Sequence, residues 1–246
     1  MSRYEATLLS RHLAKITKVF EAACSEPSRK AAYKKTMGNE MKRTLNRWTS
    51  GSGVPYLSLL VTVSALILLP MNDAAKFLQY DRTAIAAGQF WRIITGHWTH
   101  WSFEHFLWCG ITFVALGAVC ERIDRKGFVG SLVLSTVFIP VFCWYAAPAM
   151  HFYRGLSGLC SSIFVVAAIQ MARKAHAEQN WAGVIMPVFA ALLFFAKILF
   201  EFINGQALFV HSADMFTPVP LAHLAGCLIG MITVSLTGFR VQREIR

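Results

Sequence analysis

Residues 153–171 read YRGLSGLCSSIFVVAAIQM, and this stretch decides how the rest of the chain is interpreted. From Ser157 to Met171 it carries no charge, yet it offers only about 15 residues, or ~22 Å of helix, against a bilayer hydrocarbon core of ~30 Å. A helix confined to that run starts below the membrane surface. The chain reaches it through Pro148, His151, Arg154 and Gly155. Irregular backbone of this kind is tolerated at depth only where protein or a water-filled cavity surrounds it. Ser157 is therefore expected in a recess.

Outward from this stretch, further apolar runs lie at about 54–71, 102–120, 129–147, 182–203 and 220–238. Most approach the ~20 residues that a spanning helix requires. The whole chain of 246 residues is 55% hydrophobic and 15% charged, too little polar material to cover a soluble globule. The expected fold is an all-α membrane protein of six transmembrane helices with a short, recessed fourth helix. The net charge of +11 does not signal nucleic acid, because Lys and Arg collect at the two ends and in short loops. With both termini on one side, 19 of them share that side and only Lys76, Arg82, Arg92 and Arg154 lie opposite, so the positive-inside rule places both termini in the cytoplasm. The remaining cation, Lys197, falls inside the fifth span.

Three regions follow: a basic cytosolic extension (1–50), a membrane domain (51–240) and a short basic tail (241–246). The extension lacks the apolar core of a signal peptide and is expected to stay on the mature protein. Its Leu8, Leu9, Leu13, Ile16, Val19 and Phe20 recur at helical spacing among Arg11, Lys15 and Lys18. That pattern suits a helix lying on anionic lipid, and equally one packed on protein. Residues 48–53 read as a linker. The six cysteines show no CxxC pairing, and five lie in apolar runs, so no disulfide framework or zinc site is expected.

Polar residues in three spans fall at one depth. Counted to the inner boundary, Ser157 precedes Arg173 by 16 residues, His223 precedes Arg240 by 17 and His105 precedes Glu121 by 16. A buried serine, a candidate base and a candidate oxyanion donor are thus level to within about one helical residue. Gly226 and Gly230 follow His223 at i+3 and i+7, and Gly158 and Ser162 flank Ser157, so the fourth and sixth helices can approach closely. A serine in a membrane helix ordinarily bonds to its own backbone, whereas a membrane histidine is a functional candidate by default. No carboxylate stands out as a third member. Glu104 faces away from His105, and Glu201 stands at i+4 from Lys197, where an ion pair is the plain expectation. His97, His100, Glu104 and His105 also form a cluster rich in potential metal ligands, but a membrane oxidase needs further ligand sets on other helices, and His223 is the only strong one. No metal or other cofactor is expected.

These residues resemble the rhomboid intramembrane proteases. Trp91-Arg92 matches the pair in their first outer loop, and His100 and His105 match their second-helix histidines. Gly155-Leu156-Ser157-Gly158 matches the GxSG that opens their fourth helix. Ala222-His223-Leu224-Ala225-Gly226-Cys227-Leu228-Ile229-Gly230 matches AHxxGxxxG on the sixth. The resemblance spans about residues 54–240 in the family's order. It implies a Ser–His dyad with Ser157 as nucleophile and His223 as general base. It also implies site support from Gly155, Gly158, His100, His105 and Cys109, a structural loop at Trp91 and Arg92, and helix packing at Gly226 and Gly230. Tyr153-Arg154, Lys197, Glu201 and Gly205-Gln206-Ala207-Leu208-Phe209 look further like the rhombosortase branch. That branch implies transmembrane substrates ending in a Gly-rich motif, one hydrophobic helix and a basic tail, and a place in the bacterial inner membrane. The chain departs from the family in two positions: Cys109 stands where many members carry an oxyanion Asn, and Ser161 where a Tyr often stacks on the catalytic His. A thiol is a weak donor. The Cys109 departure is the best argument for the alternative, an inactive rhomboid-like protein that binds membrane helices.

Overall fold

The computed structural model describes residues 54–205 and 219–244, with side chains as far as residue 237. They belong to one unit, Gly53–Arg246. The N-terminal extension with its expected amphipathic helix, the 48–53 linker, residues 206–209 and the end of the basic tail lie outside the described residues.

The elements are α1 (Tyr56–Leu68), α2 (Asn72–Leu78), β1 (Tyr80–Asp81), α3 (Arg82–Ala86), α4 (Trp91–Thr95), a 3-10 turn (Gly96–Trp98), α5 (Phe103–Ile123), α6 (Arg125–Ala146), β2 (Phe152–Tyr153), α7 (Ser157–Ala177), α8 (Trp181–Asn204) and α9 (Pro220–Glu244). Among the described residues, α5 to α9 are long and apolar enough to cross a membrane, and α1 with α2 makes a sixth span if that pair, bent by 119°, counts as one. Large apolar side chains such as Ile185, Leu192, Phe202 and Ile203 of α8 point outward, an exterior suited to lipid. The fold is an all-α bundle, as expected.

Two lengths differ from expectation. The first helix has 13 residues where a run of 18 was read, because the chain bends after Leu68 instead of continuing. The fourth begins at Ser157 as read but runs 21 residues to Ala177, well past Met171. Helical hydrogen bonding needs no apolar side chain, and Ala172, Arg173, Lys174 and Ala175 are strong helix formers. The apolar run is short; the helix is not.

Helix ends follow local chemistry. Ser102 accepts from His105 N at 3.1 Å to start α5, Asp124 accepts from Gly127 N at 2.9 Å to start α6, and Asn180 accepts from Gly183 N at 3.0 Å to start α8. Gly205, at φ 65°, stops α8 in the left-handed conformation. The first turn of α1 is capped from another helix. Glu121, near the end of α5, accepts from Ser58 N (2.9 Å) and Ser58 Oγ (2.6 Å), placing a carboxylate at a helix N-terminus. A Cβ on Gly117 would collide with Ser58, so α1 and α5 touch where the glycine leaves room.

At the centre stands α7, packed by α5, α6, α8 and α9. Leu159, Ile163, Val166 and Ala167 are buried along it, and Ser162 Oγ meets Ser131 Oγ of α6 at 2.6 Å. By contrast α8 buries little and rests mainly on α7.

The segment between α1 and α5 folds into a cap. Buried Arg92 donates through Nη1 to the carbonyls of Lys76 (2.8 Å) and Gln79 (3.0 Å) and through Nε to Gln89 Oε1 (2.7 Å). Its neighbour Trp91 is partly exposed and packs on Phe77 with ring centroids 5.4 Å apart. The cap is tied to the chain just before α7: β1 pairs antiparallel with β2, Tyr80 opposite Tyr153, and Arg154 Nε donates to Gln79 Oε1 at 2.8 Å while its guanidinium stacks over Trp101. The entry to α7 is thereby held from both sides.

Candidate active site

Ser157 occupies the first turn of α7, half-buried, with its carbonyl accepting from Ser161 Oγ at 2.9 Å. The residues before it are fixed by the cap. Gly155 donates its N–H to Gly96 O at 3.2 Å and adopts φ 118°, a conformation that L side chains rarely take. A Cβ there would also come within 2.7 Å of His105 Cε1. The glycine thus serves the turn and admits the His105 ring against the backbone.

His100 accepts from Leu156 N through Nε2 at 3.4 Å and stands edge-on to His105, centroids 5.2 Å apart. Burial, with neighbouring His105, holds His100 down at about 3, which suits a neutral ring that accepts a hydrogen bond. His97 turns elsewhere: its Nε2 meets Thr136 O at 3.2 Å, and burial holds it at about 4. His97 and His100 thus meet different backbone partners, and among the described residues no group of three or more His, Cys, Asp or Glu converges as a ligand set. Cys109 is buried beside the Leu156 backbone, and its carbonyl accepts from Cys160 Sγ at 3.5 Å.

His223 sits in the first turns of α9. Around it α7 and α9 meet backbone to backbone: a Cβ on Gly226 would collide with Gly158 O, one on Gly230 with Ser162 O, and one on Gly158 would press Ala222 O at 3.3 Å. Ser157 and His223 both line a cavity of about 1040 Å³, together with His105, Cys109, Cys160, Tyr153, Lys197 and Glu201.

Two residues in it went unassigned in the sequence reading. Tyr153 was singled out only as part of a branch resemblance. Its hydroxyl donates to Gly155 O at 3.0 Å and lies beside the Ser157 side chain, and burial raises its phenol well above the ordinary value. Glu201 forms the expected pair with Lys197, Oε1 to Nζ at 2.8 Å, but its other oxygen lies 3.2 Å from His223 Nδ1. A carboxylate therefore does stand beside the candidate base, and the expectation that none is available is corrected. The i,i+4 spacing foretold the lysine contact; how α8 rolls against α9 decided the other, and no local pattern carries that.

Among the described residues, five or six apolar spans thus surround a cavity lined by both a serine and a histidine. A family model, the Rhomboid domain, matches residues 87–239, well over half of the chain. The chain belongs to the rhomboid family, integral multi-pass membrane proteins that are in general intramembrane serine proteases acting on transmembrane substrates. No curated protein matches it.

Proposed function

We propose that this protein is an intramembrane serine endopeptidase in which Ser157 attacks the scissile carbonyl and His223 takes the serine proton, then returns it to the leaving amine. The supporting observation is that both side chains line one cavity, at the level where Gly158 and Gly226 bring their helices into backbone contact. His105, against Gly155, and the N–H of Ser157 are the proposed oxyanion donors, with Cys109, Gly158 and His100 shaping that side. Water reaches the acyl-enzyme through the same chamber. The test is labelling of the detergent-purified protein by a serine-directed fluorophosphonate: wild type labels and Ser157→Ala does not. Equal labelling of the two would overturn the assignment.

The proposed setting is the bacterial inner membrane, both termini cytoplasmic, with a cytosolic extension before the membrane domain and a short tail after it. The proposed substrates are single-span proteins carrying a Gly-rich motif just outside a hydrophobic helix and a basic tail. Glycines there weaken the helix and expose a carbonyl to attack, and the basic tail keeps the substrate C-terminus inside. Co-expression with such a protein is expected to release a C-terminally shortened product, and replacing the glycines with leucines to block release. Processing that ignores the glycines would remove the substrate assignment and leave the protease reading intact.

A further inference from the structure

Most of α8 faces outward, yet Glu201 on it is only 2% exposed. A carboxylate turned inward from an apolar helix loses hydration and needs compensation. The ion pair with Lys197 supplies part of it but does not explain the direction, because an i,i+4 pair closes equally well on any face of a helix. The inward turn brings Oε2 to His223 Nδ1, at 3.2 Å. The contact is long and off the hydrogen-bond line, as catalytic contacts often are before substrate binds. The titratable groups facing His223 are Glu201 and Lys197 from α8 and His105 from α5.

Building on the Ser157–His223 reading, we propose that Glu201 is a positioning residue that completes a Ser–His–Glu arrangement. Its carboxylate accepts the Nδ1–H of His223, which leaves Nε2 as the unprotonated nitrogen that receives the Ser157 proton. As Oγ bonds to the scissile carbon, that proton moves to Nε2, and the resulting imidazolium is balanced by the carboxylate. Lys197 holds the second carboxylate oxygen, fixing the rotamer. When the leaving amine departs it takes the Nε2 proton; Nδ1 keeps its own throughout, and Glu201 is never protonated.

The full-length, detergent-purified chain is tested by saturation kinetics of fluorophosphonate labelling and by ¹⁵N NMR of the histidine tautomers, with His223→Gln identifying the His223 signal. Wild-type His223 is expected as the Nδ1–H tautomer. Glu201→Ala is expected to lower the maximal labelling rate on the order of 10²-fold with probe affinity unchanged, and to move His223 toward the Nε2–H tautomer. Glu201→Asp should restore most of the rate. Glu201→Gln keeps the volume, and serves if the alanine variant does not fold; it should still lose about 10-fold, because its amide cannot balance the imidazolium. Wild-type rates in Glu201→Ala and Glu201→Gln, or an Nε2–H tautomer in the wild type, would overturn the role of Glu201 and leave the dyad standing. Labelling that persists in Ser157→Ala would instead remove the dyad, while the tautomer measurement still decides the Glu201 contact.

Discussion

Gly155 joins three constraints in one residue: a φ of 118°, a carbonyl bonded by Tyr153, and a surface pressed by His105. Gly155→Ala is therefore expected to destabilise the purified protein by about 1–3 kcal/mol and to remove phosphonate labelling, read by thermal unfolding and by gel. A variant that labels normally would show that the turn tolerates a side chain. Cys109 lies beside the Leu156 backbone, one helical turn inward of His105, so Cys109→Asn places a stronger donor there and is expected to keep or raise activity. Complete loss in a folded Cys109→Asn protein would give that position another role. The histidines of the cap carry a pH signature. His97 and His100 are held at about 4 and about 3, so below pH ~6.5 the unfolded chain binds protons that the folded chain refuses. Stability is fully present above that pH and is expected to fall steadily between pH ~6.5 and ~3, measured as the unfolding temperature in detergent; His97→Gln should flatten the fall.

The pair α7 and α9 shows how much an element can reveal alone. The small-residue spacing of Gly158, Ser162, Gly226 and Gly230 was legible, and these residues meet in the structure because a backbone can approach only where no Cβ intervenes. Gly226→Leu would drive a side chain into the Gly158 carbonyl, and it is expected to lower stability by about 1–3 kcal/mol or more and to abolish activity by parting Ser157 from His223. A Gly226→Leu protein with wild-type unfolding and labelling would contradict the packing argument. The cap between α1 and α5 was far less legible. Its short helices and two-residue strands are held by contacts such as Arg92 to the Lys76 and Gln79 carbonyls, which no periodicity announces. Arg92→Ala leaves those acceptors unpaired and is expected to cost on the order of 3 kcal/mol, again read by thermal unfolding.

At the scale of the molecule the charge asymmetry makes one prediction. Reporter fusions at residues 75 and 246 are expected to report opposite compartments, since 19 basic residues share the side proposed as cytoplasmic and four lie across from it. Fusions that report the same compartment would overturn the topology. The apolar exterior of α8 and its slight burial set it apart from α5, α6, α7 and α9. It is nevertheless the helix that supplies the carboxylate beside His223.

The sequence by itself determined the solvent and the long apolar segments, because the bilayer acts on each segment separately: length, apolarity and flanking charge are local quantities. It also gave reason to expect Ser157, His105 and His223 near one level, because helical rise is fixed per residue, and all three line one cavity. Azimuth is not fixed. Which face of α8 turns inward depends on its packing against α7 and α9, and that roll brings Glu201 to His223. Likewise the β1–β2 pairing that sets Tyr153 beside Ser157 joins segments about seventy residues apart. The tertiary structure decided these contacts, since each depends on two elements meeting and neither carries its partner's position in its own pattern.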